Sequence, residues 1–310
     1  MTKNLLYVFL GIFCFFEIHA QDKNTDITLE KELREIVKDF KGLAGVYVYN
    51  LKTRQEAGIH ADSVFPTASV VKVPILAGLF NKIEKGELSL FDTLIYNKER
   101  VYGGSGLMQF FKDSTRTDLR SAAALMITYS DNVTSIWSQE LAGGGEEINN
   151  LMEGLGLEHT RVNSRTPGRE DLWKKYGWGQ TTPREMAGLL IKMRNRELVS
   201  EAASDEMYRM MTNSFYTDYA LSQIPPYVQT AAKQGMVNQS RSELVMVNAP
   251  GGDYVFYIAT KNNEDTSWEY ENEAWVLQRK ISAFLWNYFE PESTWKPAKN
   301  SDNLVRGLKY

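Results

Sequence analysis

The sequence predicts an α+β fold: an antiparallel five-stranded sheet flanked by N- and C-terminal helices, with an inserted all-helical subdomain. Three observations predict it. β-Rich text occurs in two separate blocks, two segments near 43–59 and three near 228–260. The text between them carries helix signals, and an apolar-striped helix lies outside each block. Terminal segments of one chain can share an antiparallel sheet, which leaves the middle as an insertion and a cleft between the halves.

Each element has its own justification. Leu29, Leu33, Ile36, Val37 and Phe40 recur at helical spacing, and Gly42 stops that helix. Leu43 to Tyr49 is a strand, and a turn at Asn50–Thr53 leads to a second one ending near Ile59. Thr117 is the expected cap of a helix that ends at Tyr129, and another helix runs to Leu141. A break at Gly143-Gly144-Gly145 precedes a helix from Glu146 to Met152. Thr160 to Gln180 has no steady period. Thr182, Pro183 and Glu185 then supply an N-cap, a first-position proline and a capping-box partner. Ser200 to Met211 is a further capped helix. Strands follow at Val228–Gly235, Ser242–Asn248 and Tyr254–Thr260, and Glu269 to Tyr288 forms the closing helix. The sheet part is thus about 21–60 and 221–290, and the helical part about 61–220. Residues 291–310 read as a polar tail.

The chain is organised around Phe65-Pro66-Thr67-Ala68-Ser69-Val70-Val71-Lys72. Ser69 sits at the mouth of an apolar helix, and Lys72 lies three residues on, on the same face. Burial lowers a lysine's pKa toward that of a general base, and a helix mouth offers N–H groups to an oxyanion. These are the parts of an activated serine nucleophile. The spacing alone is weak, because Ser293-Thr294-Trp295-Lys296 repeats it in the tail with no apolar helix behind it.

Composition bounds the function. The 310 residues are 43% hydrophobic and 12% aromatic, enough for a large core. A net charge of −4 argues against a nucleic-acid partner and leaves a small-molecule substrate. His60 and His159 have neither metal-ligand spacing nor a nearby partner, and no cofactor motif is present. Lys3, the apolar run Leu5–Phe16 and Ile18-His19-Ala20 read as an export signal, residues 1–20. Cys14 falls inside it, and the bulky Phe13 before it disfavours a lipid anchor. The expected product is a periplasmic or secreted monomer without disulfides or a transmembrane segment, its main domain spanning 21–290.

Two later segments join Ser69 and Lys72. Ser130-Asp131-Asn132 lies between helices, with a hydroxyl for proton relay and an amide to hold a substrate. Lys233-Gln234-Gly235 ends a strand and brings a cation and a bare backbone to the cleft. Ser301-Asp302-Asn303 repeats the first tripeptide in the tail, so order and spacing carry the signal.

With FPTASVVK, YSDN, TTP at 181–183 and AAKQG in that order, the chain resembles the class A β-lactamases and related penicillin-recognising serine enzymes. The resemblance implies Ser69 as acylated nucleophile, Lys72 as its base and Ser130 as the relay to the leaving nitrogen. It implies Asn132 on the substrate amide, Lys233 facing the substrate carboxylate, and the N–H groups of Ser69 and Met236 as an oxyanion hole beside Gly235. Arg241 resembles an arginine that helps bind the same carboxylate. Two departures stand out. Gln234 replaces a small hydroxyl residue, and Thr166 occupies the place of the family's deacylating Glu. Glu170, four residues late, is the expected substitute, with Asp171 second. The expected function is a serine β-lactamase. The alternatives are a slowly deacylating D-Ala-D-Ala peptidase and a non-catalytic wall-fragment binder.

Overall fold

Residues alternate strictly between the two faces of each long strand, and that alternation sorts the core of the computed structural model into two layers. The structure describes residues 24–298; the segment read as an export signal, with Cys14, and the tail beyond residue 298 lie outside them. Val46, Val48, Val245, Val247, Phe256 and Ile258 face one layer, with Leu29, Leu33, Ile281 and Leu285. Tyr47, Leu244, Met246, Val255 and Tyr257 face the other, with the apolar side chains of the helical half.

The elements follow in chain order. Helix α1 (Ile27–Val37) precedes β1 (Leu43–Asn50) and β2 (Glu56–Ile59). A short strand β3 (Phe65–Pro66) and a 3₁₀ turn, Ala68–Val71, lead into α2 (Lys72–Glu84). Strands β4 (Thr93–Ile95) and β5 (Arg116–Asp118) pair around an irregular excursion, followed by α3 (Leu119–Thr128), α4 (Asn132–Leu141) and α5 (Gly144–Gly154). Next come β6 (Arg161–Val162), α6 (Glu170–Tyr176), β7 (Gly179–Thr181), α7 (Pro183–Arg194) and α8 (Glu201–Met211). The chain returns through β8 (Thr230–Val237), β9 (Ser240–Val247) and β10 (Tyr254–Lys261) to α9 (Glu273–Phe289). The five-stranded sheet has the order β2-β1-β10-β9-β8, all antiparallel. N- and C-terminal segments therefore share one sheet, as the two-block pattern predicts.

Boundaries differ from the sequence reading where local chemistry competes. Thr117 belongs to β5, and Asp118 caps α3 by accepting the Ser121 N–H at 2.7 Å. The patternless stretch 160–180 contains β6, α6 and β7, each too short to show a period. Thr182 caps α7 as expected, accepting the Glu185 N–H at 3.2 Å. The Glu185 carboxylate does not close the capping box. It accepts instead the Thr160 N–H at 2.7 Å, the His159 N–H at 2.9 Å and the Thr160 hydroxyl at 2.6 Å.

Those contacts matter for position. Strand β7 pairs with β6 on one side and with β3 on the other, so one small sheet ties the loop 163–178 to the residues just before Ser69. Glu185 clamps the entry to β6. Glu185→Ala is expected to lower stability by about 1–3 kcal/mol, because the part-buried Thr160 N–H loses its partner. Urea unfolding measures this, and an unchanged midpoint would show the clamp to be dispensable.

Candidate active site

Residues three apart eclipse in a 3₁₀ turn, and this places Ser69 and Lys72 side by side where the turn passes into α2. The Lys72 amine is fully buried, 3.1 Å from the Ser69 hydroxyl. It also lies 2.6 Å from the Ser130 carbonyl, 3.1 Å from the Ser130 hydroxyl and 2.9 Å from Asn132 Oδ1. The Trp178 ring lies 5.9 Å from the amine on the loop side. Burial brings the Lys72 pKa down to about 7, opposed in part by the charge of Asp131. At neutral pH a large share of the amine is free to accept a proton.

Ser130 is gripped from two sides. The Lys233 amine donates to its hydroxyl at 2.9 Å from the middle of β8, which runs two residues beyond the Gly235 at which the sequence ended it. Burial also pushes the Lys233 pKa well down, helped by the Lys72 charge and opposed by the carboxylate of Glu243. Glu243, buried on β9, has its own pKa raised to about 8, chiefly by burial. An anion placed beside Lys233 would favour its ammonium form.

Two turns of the site are strained. Ala68, just before Ser69, and Ser130 adopt left-handed φ values of 44° and 54°. That conformation costs an L-residue roughly 1–2 kcal/mol. Asp131 holds the second of these turns. Its carboxylate is fully buried and accepts the N–H groups of Leu107 at 2.6 Å, Met108 at 2.7 Å and Thr134 at 2.9 Å. One residue thus caps α4 and ties the 103–108 loop to it. Asn132 donates in turn to the Gly103 carbonyl at 3.1 Å. Gly235 is required by close approach, since a Cβ there would lie 2.3 Å from the Thr67 carbonyl and 3.0 Å from the Ser69 nitrogen.

The cleft has two arms that meet at Ser69. One, of about 750 Å³, is lined by Ser130, Gln234, Leu107, Phe215, Tyr216 and Tyr219, among others. The other, of about 640 Å³, runs past Tyr102, Trp178 and Lys175 to the β8–β9 turn. Asn132, Met236 and Trp268 border both.

The structure thus brings Ser69, Lys72, Ser130, Asn132 and Lys233 into one hydrogen-bonded cluster, with Gly235 and Met236 against it. It places three expected residues elsewhere. Arg241 shares its face of β9 with Val245 and Glu243, away from the helical half. Its guanidinium lies 4.6 Å from the Trp268 ring and 4.9 Å from the Trp275 ring of α9. It donates to the carbonyls of Val237, Asn238, Ser240 and Ser267. Ser242, one residue on, points to the cleft side and donates to the Thr67 carbonyl at 3.2 Å. Glu170 is exposed and accepts the Gly168 N–H at 3.2 Å, while Asp171 pairs with Lys174 in solvent. Thr166 is turned into α5, where a Cβ on Gly145 would lie 1.8 Å from its hydroxyl. The base of the loop is held instead by Arg169, which donates to Asn163 Oδ1 at 2.7 Å and Gln180 Oε1 at 3.3 Å.

Sequence reasoning missed Asp131 as a clamp, although an Asp just before α4 is a recognisable N-cap signal. It also missed Trp178, for which no local signal exists.

A sheet with an inserted helical half, and a serine–lysine–serine cluster in the cleft between them, define the class of penicillin-recognising serine enzymes. The chain belongs to the beta-lactamase enzyme family, whose profile matches residues 28–289. Beta-lactamase VEB-1 of Pseudomonas aeruginosa is 21% identical, over 93% of this chain and 98% of that one. The structure of PBP-A superposes with a TM-score of 0.76 at 25% identity, covering 86% of this chain and 97% of that one. A substituted form of PBP-A, solved as its acyl-enzyme complex with penicillin G, matches with the same TM-score at 26% identity, over 86% of this chain and 98% of that one.

Asp131→Asn is expected to act twice. Losing the carboxylate's backbone bonds should lower stability by about 1–3 kcal/mol. Losing its charge removes the influence that raises the Lys72 pKa, so the acylation-rate profile should move to lower pH. A shift to higher pH would contradict the electrostatic account.

Proposed function

We propose that the protein is an exported serine hydrolase of the β-lactamase type, opening the β-lactam ring through an acyl-enzyme on Ser69. The single observation that carries this is the buried amine of Lys72, within hydrogen-bond reach of both the Ser69 and Ser130 hydroxyls. Neutral Lys72 takes the proton of Ser69 as its oxygen attacks the lactam carbonyl. The N–H groups of Ser69 and Met236 hold the oxyanion. The proton passes from Lys72 to Ser130, whose own proton goes to the departing nitrogen as the C–N bond breaks. Lys72 is then neutral again and next to the new ester.

Among the described residues the family's deacylating carboxylate has no counterpart at the cleft. Neither arm of the cleft is lined by an aspartate or glutamate, and Glu170 and Asp171 face solvent. Lys72 is therefore the base for both half-reactions, removing a proton from the water that cleaves the ester. The same observation favours a second reading, a penicillin-binding peptidase whose β-lactam ester persists. All of these groups come from one chain, so the proposed site is complete in a monomer. Among the described residues no helix is long and apolar enough to cross a membrane.

A chromogenic cephalosporin separates the two readings. Steady turnover is expected for the hydrolase, whereas one equivalent of product followed by arrest would establish the peptidase-like behaviour. Ser69→Ala should abolish both product and the covalent adduct seen by mass spectrometry. Glu170→Gln and Asp171→Asn should leave turnover within about twofold, against the loss of about 10²–10⁴ expected for a general base. An adduct that survives Ser69→Ala would overturn the assignment.

A further inference from the structure

The two arms of the cleft differ in charge, and the proposed chemistry says which part of a substrate enters each. Ser130 lines only the larger arm, so the fragment that leaves with the nitrogen lies there and the acyl group extends into the other. The leaving arm is aromatic, and the cation near it is Lys233, buried behind Ser130. The acyl arm is cationic: Lys175 and Lys261 line it beside the amides of Asn238, Gln239 and Asn262. Arg165 adds to its rim, 5.4 Å from the ring of Tyr102.

These cations are not neutralised. Lys261 donates to the Val64 carbonyl at 2.7 Å and rests 4.8 Å from the Phe65 ring, while Lys175 lies 5.0 Å from the ring of Tyr176. Arg165 reaches the Ser164 hydroxyl at 3.0 Å. Among the described residues none of the three is in an ion pair; the neighbouring Lys174 takes Asp171. The arm has no acidic lining in a chain whose net charge is −4. A concave wall of one sign concentrates the opposite charge.

Resting on the Ser69 acyl-transfer reading, we infer that this arm selects substrates whose acyl side chain carries an anion, a carboxylate held by Lys175 and Lys261. The other arm takes an apolar or aromatic leaving-side substituent against Phe215, Tyr216 and Trp268.

Benzylpenicillin and α-carboxybenzylpenicillin test the inference, because they differ by one acyl-side carboxylate and share the rest. The readout is the ratio of their second-order acylation rates on Ser69. Two partly exposed ion contacts predict roughly three- to tenfold in favour of the carboxylated compound at low salt. The ratio should fall toward one at high salt, where screening shortens the reach of charge. Lys175→Ala with Lys261→Met should bring it to about one at any salt, and Lys175→Glu should reverse it. Equal rates in the unsubstituted protein, or a salt-independent preference, overturn the inference and leave the Ser69 reading standing. Failure of both penicillins to acylate Ser69 overturns the two together.

Discussion

One buried amine constrains the rest of this structure. Lys72 has no accessible surface, yet its nitrogen is within 3.1 Å of four oxygens from three residues in two distant segments. An isolated ammonium in such a place would be expelled or neutralised. Here neutralisation coincides with the requirement of a proton acceptor, so the helical half is both the lysine's desolvating wall and the origin of its basicity. Strained turns at Ala68 and Ser130 persist because the buried network around them leaves no cheaper arrangement.

The sheet contributes position rather than reactivity. Strand β8 runs so close to the Ser69 turn that position 235 must lack a side chain, and Lys233 reaches past it to Ser130. Its neighbour β9 fixes the register through Ser242 and the buried Glu243, which accepts the Ala220 N–H at 2.7 Å. The small sheet β3-β7-β6 does the same for the loop that carries Trp178. Three separate pairings therefore converge on a cluster a few ångströms across.

Much of this was legible in the sequence, and the failures have physical causes. Apolar periodicity disclosed the two-block sheet, and the TTP signal placed Thr182 as a cap, because both are local. Arg241 failed by one position. A strand's side chains alternate, so being next to the cleft-facing Ser242 puts it on the opposite face, where two indoles receive it. Glu170 failed because a loop's path is not local. Arg169, Asn163 and Gln180 hold the loop base and leave the carboxylate outside. Glu185 had the right residue type for a capping box, but the unpaired N–H groups of His159 and Thr160 competed for its oxygens and won. Trp178 and the charge of the acyl arm appear only when distant segments come together.

Catalysis in this site depends on the protonation state of one lysine. A ¹⁵N NMR titration of the Lys72 side chain, assigned by its loss in Lys72→Arg, measures that state without reference to any substrate. A transition near pH 7 is expected. An ammonium that stays protonated to about pH 10, the ordinary lysine range, would contradict it and leave Ser69 without a base.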